Sequence, residues 1–134
     1  MQVYGSDVVT LRGPEIEISS KATLALGMAV HELATNAAKY GALSVPDGRL
    51  AVSWSVVDEG EGQAFRLVWQ ESDGPEITAP DAQGFGSTLI ASTVERSLGG
   101  EVRPEWERGG LRCVIEIPLD SIVETDDNEA EHIF

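Results

Sequence analysis

Glu32, Asn36 and Lys39 follow one another at spacings of four and three residues in a stretch that reads as helix, so they share one face. They offer a carboxylate, an amide oxygen and an ammonium. Oxygen donors suit a hard divalent cation and an ammonium suits phosphate oxygens, so the trio fits an anionic ligand that brings a metal with it. At about 100° per residue a second stripe, Leu26, Val30, Leu33, Ala37 and Tyr40, is apolar and faces a core. The stripes lie only about 110° apart, which puts the polar one at the core edge, where a cleft can open. Spacing alone also fits a solvated helix surface. Asn36 is the member such a surface does not explain, because asparagine inside a helix is mildly unfavourable.

Two further stretches could do chemistry. Glu71 continues the inward period of Phe65, Leu67 and Trp69, so a carboxylate emerges at the core end of a strand and needs a donor. An arginine or the exocyclic amine of a purine would each serve. Gly84-Phe85-Gly86-Ser87-Thr88-Leu89 opens a helical pattern. Its glycines let the backbone approach a ligand, and the first helical N–H groups would face an anion. A plain turn fits the same residues.

The helix bearing the first trio runs from near Ser20 to Gly41, with Ser19 or Ser20 as cap and Gly41 as its end. Ahead of it, residues 2–11 and 15–18 read as two strands about an Arg12-Gly13-Pro14 turn. Residues 42–48 are a loop closing on Pro46-Asp47-Gly48. Leu50, Val52, Trp54 and Val56 alternate inward along one strand, and Phe65, Leu67 and Trp69 along the next, after an acidic tip at 58–62. Residues 72–83 form a loop. A second helix spans 84–98 and stops at Gly99-Gly100. Residues 101–106 and 111–118 make a hairpin about Arg108-Gly109-Gly110, with Leu111, Cys113, Ile115 and Ile117 inward. The sum is an α+β two-layer sandwich, with helices on one face of a mixed, mainly antiparallel sheet. Residues 1–119 form one domain, and 120–134 an acidic, mobile tail with room for a short helix.

The 134 residues carry a formal net charge of −14, which argues against nucleic acid or an anionic membrane surface as partner. The single cysteine, Cys113, leaves no internal disulfide, and no Cys/His cluster suggests zinc. No apolar run is long enough to span a bilayer, so a cytoplasmic domain is expected.

Residues 31–44, beginning His31-Glu32 and holding Asn36, Lys39 and Tyr40, resemble the N-box of bacterial sensor histidine kinases. His31 together with Trp69-Gln70-Glu71 resembles the HWE subfamily in particular. Trp69 to Pro75 resembles the first glycine box, without the usual Asp-x-Gly-x-Gly, and Gly84 to Ile90 the second. Leu111 to Pro118 resembles the closing strand, so the likeness runs from about Val8 to Pro118. It implies the GHKL ATP-binding sandwich shared with DNA gyrase and mismatch-repair ATPases, and ATP with Mg²⁺ as ligands.

On that resemblance Asn36 takes Mg²⁺, Lys39 a phosphate, and Glu32 metal or water. His31 orients its neighbours in the pocket, and Tyr40 lies along the adenine or in the core. Glu71 or Asp73 reads the adenine amine beside Gly74, and Gly84, Phe85, Gly86, Ser87, Thr88 and Leu89 handle the triphosphate. The implied activity is transfer of the γ-phosphate to a histidine on a dimerisation and phosphoacceptor domain not in this chain, with a response regulator downstream. His31 and His132 are the only histidines, and neither suits the acceptor. The short segment before the second glycine box leaves little room for a long lid, so an open site of modest affinity is expected. Without dimerisation helices the chain is expected to be a monomer, an excised catalytic domain or half of a kinase acting in trans. A serine kinase of the same fold and a nucleotide-free module that docks a response regulator are the alternatives.

Overall fold

The computed structural model describes residues 2–5, 8–75 and 87–123. Among these, six strands form one sheet: β1 (Gln2–Gly5), β2 (Val9–Gly13), β3 (Arg49–Asp58), β4 (Gln63–Ser72), β5 (Glu101–Glu107) and β6 (Gly110–Pro118). Their order is β1-β2-β3-β4-β6-β5, with β2 and β3 parallel and the other neighbours antiparallel. A parallel pair needs a crossover, and helix α1 (Ser20–Lys39) supplies it. Helix α2 (Ser87–Leu98) precedes β5, and one helical turn, α3 (Leu119–Ile122), follows β6. The α+β sandwich with a mixed, mainly antiparallel sheet is what forms.

Ser19 Oγ accepts from the Ala22 N–H at 3.1 Å and so caps α1. Below the cap, α1 buries Ala22, Ala25, Leu26, Ala29, Leu33 and Ala37, a face whose alanines let the helix lie close to the sheet. α2 adds Ile90, Val94 and Leu98 to the same core, against Val52, Phe65, Leu67, Trp69, Cys113, Ile115 and Ile117. It ends on Gly99, whose φ of 66° and N–H to the Glu95 carbonyl at 3.1 Å make a left-handed cap.

Four details differ from the sequence reading. Residues 2–5 and 9–13 are two antiparallel strands, β1 and β2, rather than one strand over 2–11, and 14–17 belong to no strand. Ile16 and Ile18 do alternate with exposed Glu15 and Glu17, but alternation reports one packed face, not a sheet partner; Ile18 alone bridges Val123. Tyr40 is 50% exposed and no part of the core, because the helix ends before its position completes the apolar stripe. Val56 is also exposed, on a hollow beside Ile16, Leu119 and Val123. The packed chain continues past 119: Ile122 is fully buried and its carbonyl accepts from the Ser19 N–H at 2.7 Å.

The sheet face away from the helices carries an ion-pair cluster. Glu116, its side chain only 12% exposed, accepts from Arg66 at 3.0 Å and also pairs with Arg103. A hydrogen bond with Glu59, then one with Arg103, holds the Glu116 carboxyl down at about 2, while Glu116 in turn raises Glu59. Glu116 therefore favours the fold above its ordinary value, and that contribution is lost as pH falls towards about 2. Glu59 acts with the opposite sign, favouring the fold at low pH. Glu116→Gln is expected to cost about 1 kcal/mol near neutrality and clearly less at about pH 3, where Glu116 in the wild type has surrendered part of its advantage. Urea melts at both pH values check this; a cost that grows on acidification contradicts it.

Candidate functional site

The last turn of α1 presents Asn36 and Lys39, and the chain beyond it is tightly fastened. The Tyr40 N–H reaches the Asn36 carbonyl at 2.8 Å and the Gly41 N–H reaches Ala37 at 3.0 Å. Gly41 ends the helix as expected, but not by a left-handed turn, since its φ is −104°. Glycine is required there because a Cβ would run into the Glu71 carboxylate.

Glu71 is 3% exposed near the end of β4, an interior strand. Within the protein its partners do not include the arginine that was one of the two alternatives. Oε1 accepts from the backbone N–H of Ala42 at 2.9 Å and Oε2 from the indole Nε1 of Trp69 at 2.9 Å. No arginine is involved; two local N–H donors meet the demand that burial creates. Gly110, with φ 140°, passes so close that a Cβ would meet the Glu71 Cβ at 2.7 Å. Burial, with the Glu71 carboxylate adding to it, pushes the Cys113 thiol up to about 12, so the cysteine is inert.

Ala42 is where three segments meet. It is fully buried at the start of a short 3₁₀ turn, Ala42–Ser44. Gly48 packs on its carbonyl and Gly74 on its Cα, each so closely that a side chain would collide. Gly74 is also held by its N–H to the Gly109 carbonyl at 3.0 Å. The loop after β4, the turn after α1 and the β5–β6 turn are thereby locked together beside the end of α1. Ala42 escapes sequence reading because a backbone N–H has no side-chain signature.

Asn36 is 8% exposed and, with Leu33, Ile90, Trp106, Leu111 and Cys113, lines a cavity of about 20 Å³. That volume suits one water molecule, not a purine. Glu32 is half-buried on the same face, and Lys39 is exposed, where a cation also suits the helix C-terminus. His31 is exposed, and its carbonyl accepts from Thr35 at 2.8 Å. Asp73 is exposed with φ 55°, a conformation rare outside glycine, asparagine and aspartate. Gly84, Phe85 and Gly86 lie outside the described residues; Ser87, Thr88 and Leu89 open α2. Larger hollows of about 570, 430 and 390 Å³ lie elsewhere and gather none of these residues.

Among the described residues no three His, Cys, Asp or Glu side chains gather to hold a metal unaided. An amide oxygen from Asn36 with one carboxylate nearby fits Mg²⁺ instead, which keeps waters and substrate phosphates in most of its shell. Among the same residues no helix is long and apolar enough to cross a membrane.

No family model matches the chain. It is 43% identical over 114 residues to blue-light-activated histidine kinase 1 of Erythrobacter litoralis, covering 83% of this chain and 30% of that protein. It is 35% identical over 111 residues to the blue-light-activated histidine kinase of Brucella ovis, covering 83% and 23%. The chain thus spans under a third of the length of these relatives. The solved catalytic domain of the histidine kinase ThkA superposes with a TM-score of 0.61 at 16% identity, over 84% of this chain and 77% of that one. The Erythrobacter litoralis blue-light activated kinase gives 0.63 at 22%, over 84% and 35%. The chain therefore has the fold of the histidine-kinase catalytic domains. The sequence matches beside it make this chain a homologue of part of these blue-light-activated histidine kinases.

Proposed function

We propose that the chain binds ATP with Mg²⁺ and positions the γ-phosphate for transfer to a histidine on a separate dimerisation and phosphoacceptor domain, as an HWE-type kinase in two-component signalling. The observation that carries this reading is Asn36: a buried amide in the last turn of α1, with Lys39 exposed one turn on and the following chain pinned to the sheet. Asn36 offers its side-chain oxygen to the metal, Glu32 holds metal or water, and Lys39 meets phosphate oxygens. Residues 84–89 would cradle the triphosphate at the entry to α2. Asp73, the exposed acid of the first glycine box, is assigned to the adenine amine, with Gly74 allowing its loop to pack close; Tyr40 lies along the base. His31 is kept as an orienting residue on the strength of the subfamily signature alone. The protein's work is to align donor and acceptor in line, since phosphoryl transfer asks for position and charge more than for covalent chemistry.

A response regulator is proposed as the eventual phosphate acceptor; ThkA has been solved with its response regulator TrrA, a structure matching this chain with a TM-score of 0.56. The domain is assigned to the cytoplasm and to a monomeric state when isolated.

Calorimetric titration with Mg²⁺-ATP tests the reading. The wild type is expected to bind at micromolar to sub-millimolar concentration, and Asn36→Ala to lose at least about tenfold in affinity while keeping its fold. A second arm supplies a phosphoacceptor domain and follows acid-labile phosphohistidine. A wild type that binds no nucleotide overturns the kinase reading and favours a docking module; an acid-stable product favours a serine kinase.

A further inference from the structure

We infer that Glu71 is a positioning residue and not a nucleotide contact: its carboxylate ties the turn after α1 to the indole of Trp69 and thereby sets where Asn36 and Lys39 stand. The inference rests on the nucleotide reading above, since it says how that site is held in shape. Trp69 and Glu71 are two residues apart on one strand and leave it on the same side. An indole N–H can then reach a carboxylate oxygen directly, which gives a Trp-x-Glu pair a physical purpose. The other oxygen takes the Ala42 N–H. Between Ala42 and Lys39 the chain has no slack, because the Tyr40 and Gly41 N–H groups are already bonded back to Asn36 and Ala37. A shift of Ala42 is therefore transmitted to the turn that bears the metal and phosphate ligands.

The surroundings argue against the carboxylate as a reader of the base. Both oxygens already accept from the protein, and Gly41 and Gly110 close on the side chain from two sides. A purine amine could reach Glu71 only by moving backbone, not by displacing water. The exposed Asp73 meets no such obstacle.

The test compares Mg²⁺-ATP with Mg²⁺-inosine triphosphate, in which a carbonyl oxygen replaces the adenine amine. It uses the full chain with Glu71→Gln and Trp69→Phe, alone and together. A glutamine offers one acceptor to two N–H donors, so one bond must break. Glu71→Gln is expected to lower ATP affinity by about tenfold while the ATP to inosine triphosphate ratio stays within about twofold of wild type. The Ala42 amide should exchange faster while those of Leu67 and Ile115 do not, which separates loss of position from general loosening. Trp69→Phe keeps an aromatic ring, though a smaller one, drops the donor and should give the same pattern with a smaller fall. The double variant should lose less than the product of the two, because both cut one bridge. A ratio that collapses towards unity with Ala42 still protected would make Glu71 a base contact and overturn the inference. So would unchanged affinity and exchange in both single variants. Should the wild type bind no nucleotide, the kinase reading fails by itself, and exchange at Ala42 still decides whether the bridge holds the turn.

Discussion

Trp69→Ala is expected to destabilise the domain by about 3–5 kcal/mol from the cavity alone, a large share of the roughly 5–15 kcal/mol typical of a whole domain. Trp69 is 1% exposed on β4, between Val52 of β3 and Cys113 of β6, and belongs to the cluster on which α1 and α2 both rest. Neighbours on two strands and a helix cannot all collapse into the space an indole leaves, so the cost sits towards the upper end of that range. Truncation also removes the Nε1–H donor of Glu71 and leaves a buried carboxylate short of a partner, worth about 1–3 kcal/mol more. Trp69→Phe removes the same donor with a smaller cavity, so its cost should lie between that second part and the full loss. Urea melts followed by circular dichroism, with unchanged m-values, measure both; a loss below about 1.5 kcal/mol for Trp69→Ala would mean that the site repacks.

What could be read in the sequence follows from how each feature is encoded. Alternation at period two located the inward faces of β4 and β6, because their side chains meet a continuous helical layer. The span and cap of α1 were legible from Ser19 and the apolar period. Asn36 stood out for its chemistry, a polar residue in a place that propensity disfavours. Failures came where burial depends on distant partners. Tyr40 satisfies the stripe, yet the helix stops short of delivering it to the core. Glu71 was seen to need a donor, but the donors are an indole two residues back and a backbone N–H that any residue type could supply. Ile122 looked like the start of an acidic tail, although a short turn after β6 carries it into the core beside Ile18 and Ser19.

The glycines around Ala42 carry the second large expectation: Gly48→Ala should cost about 3 kcal/mol, whereas the same exchange at Gly27 should gain about 0.5–1 kcal/mol. Gly27 lies on the exposed side of α1 with nothing within 4 Å of a new Cβ, so alanine only reduces the freedom of the unfolded chain. Gly48 sits against the carbonyl of Ala42, and the obstacle is backbone, not a side-chain tip that can swing away. Ala42 has nowhere to retreat. Its Cα lies against Gly74, where an added Cβ would come within 2.7 Å, and its N–H is held by Glu71. The collision can be relieved only by moving the 41–44 turn as a unit, which strains the Glu71 bridge and carries the end of α1 with it. Gly48→Ala should therefore weaken Mg²⁺-ATP binding even in molecules that remain folded, while Gly27→Ala leaves binding untouched. Thermal melts together with nucleotide titration, read side by side for the two variants, test the pair. Equal and small effects at both positions would show that the turn yields freely, and the picture of a rigid junction behind Asn36 and Lys39 would have to be given up.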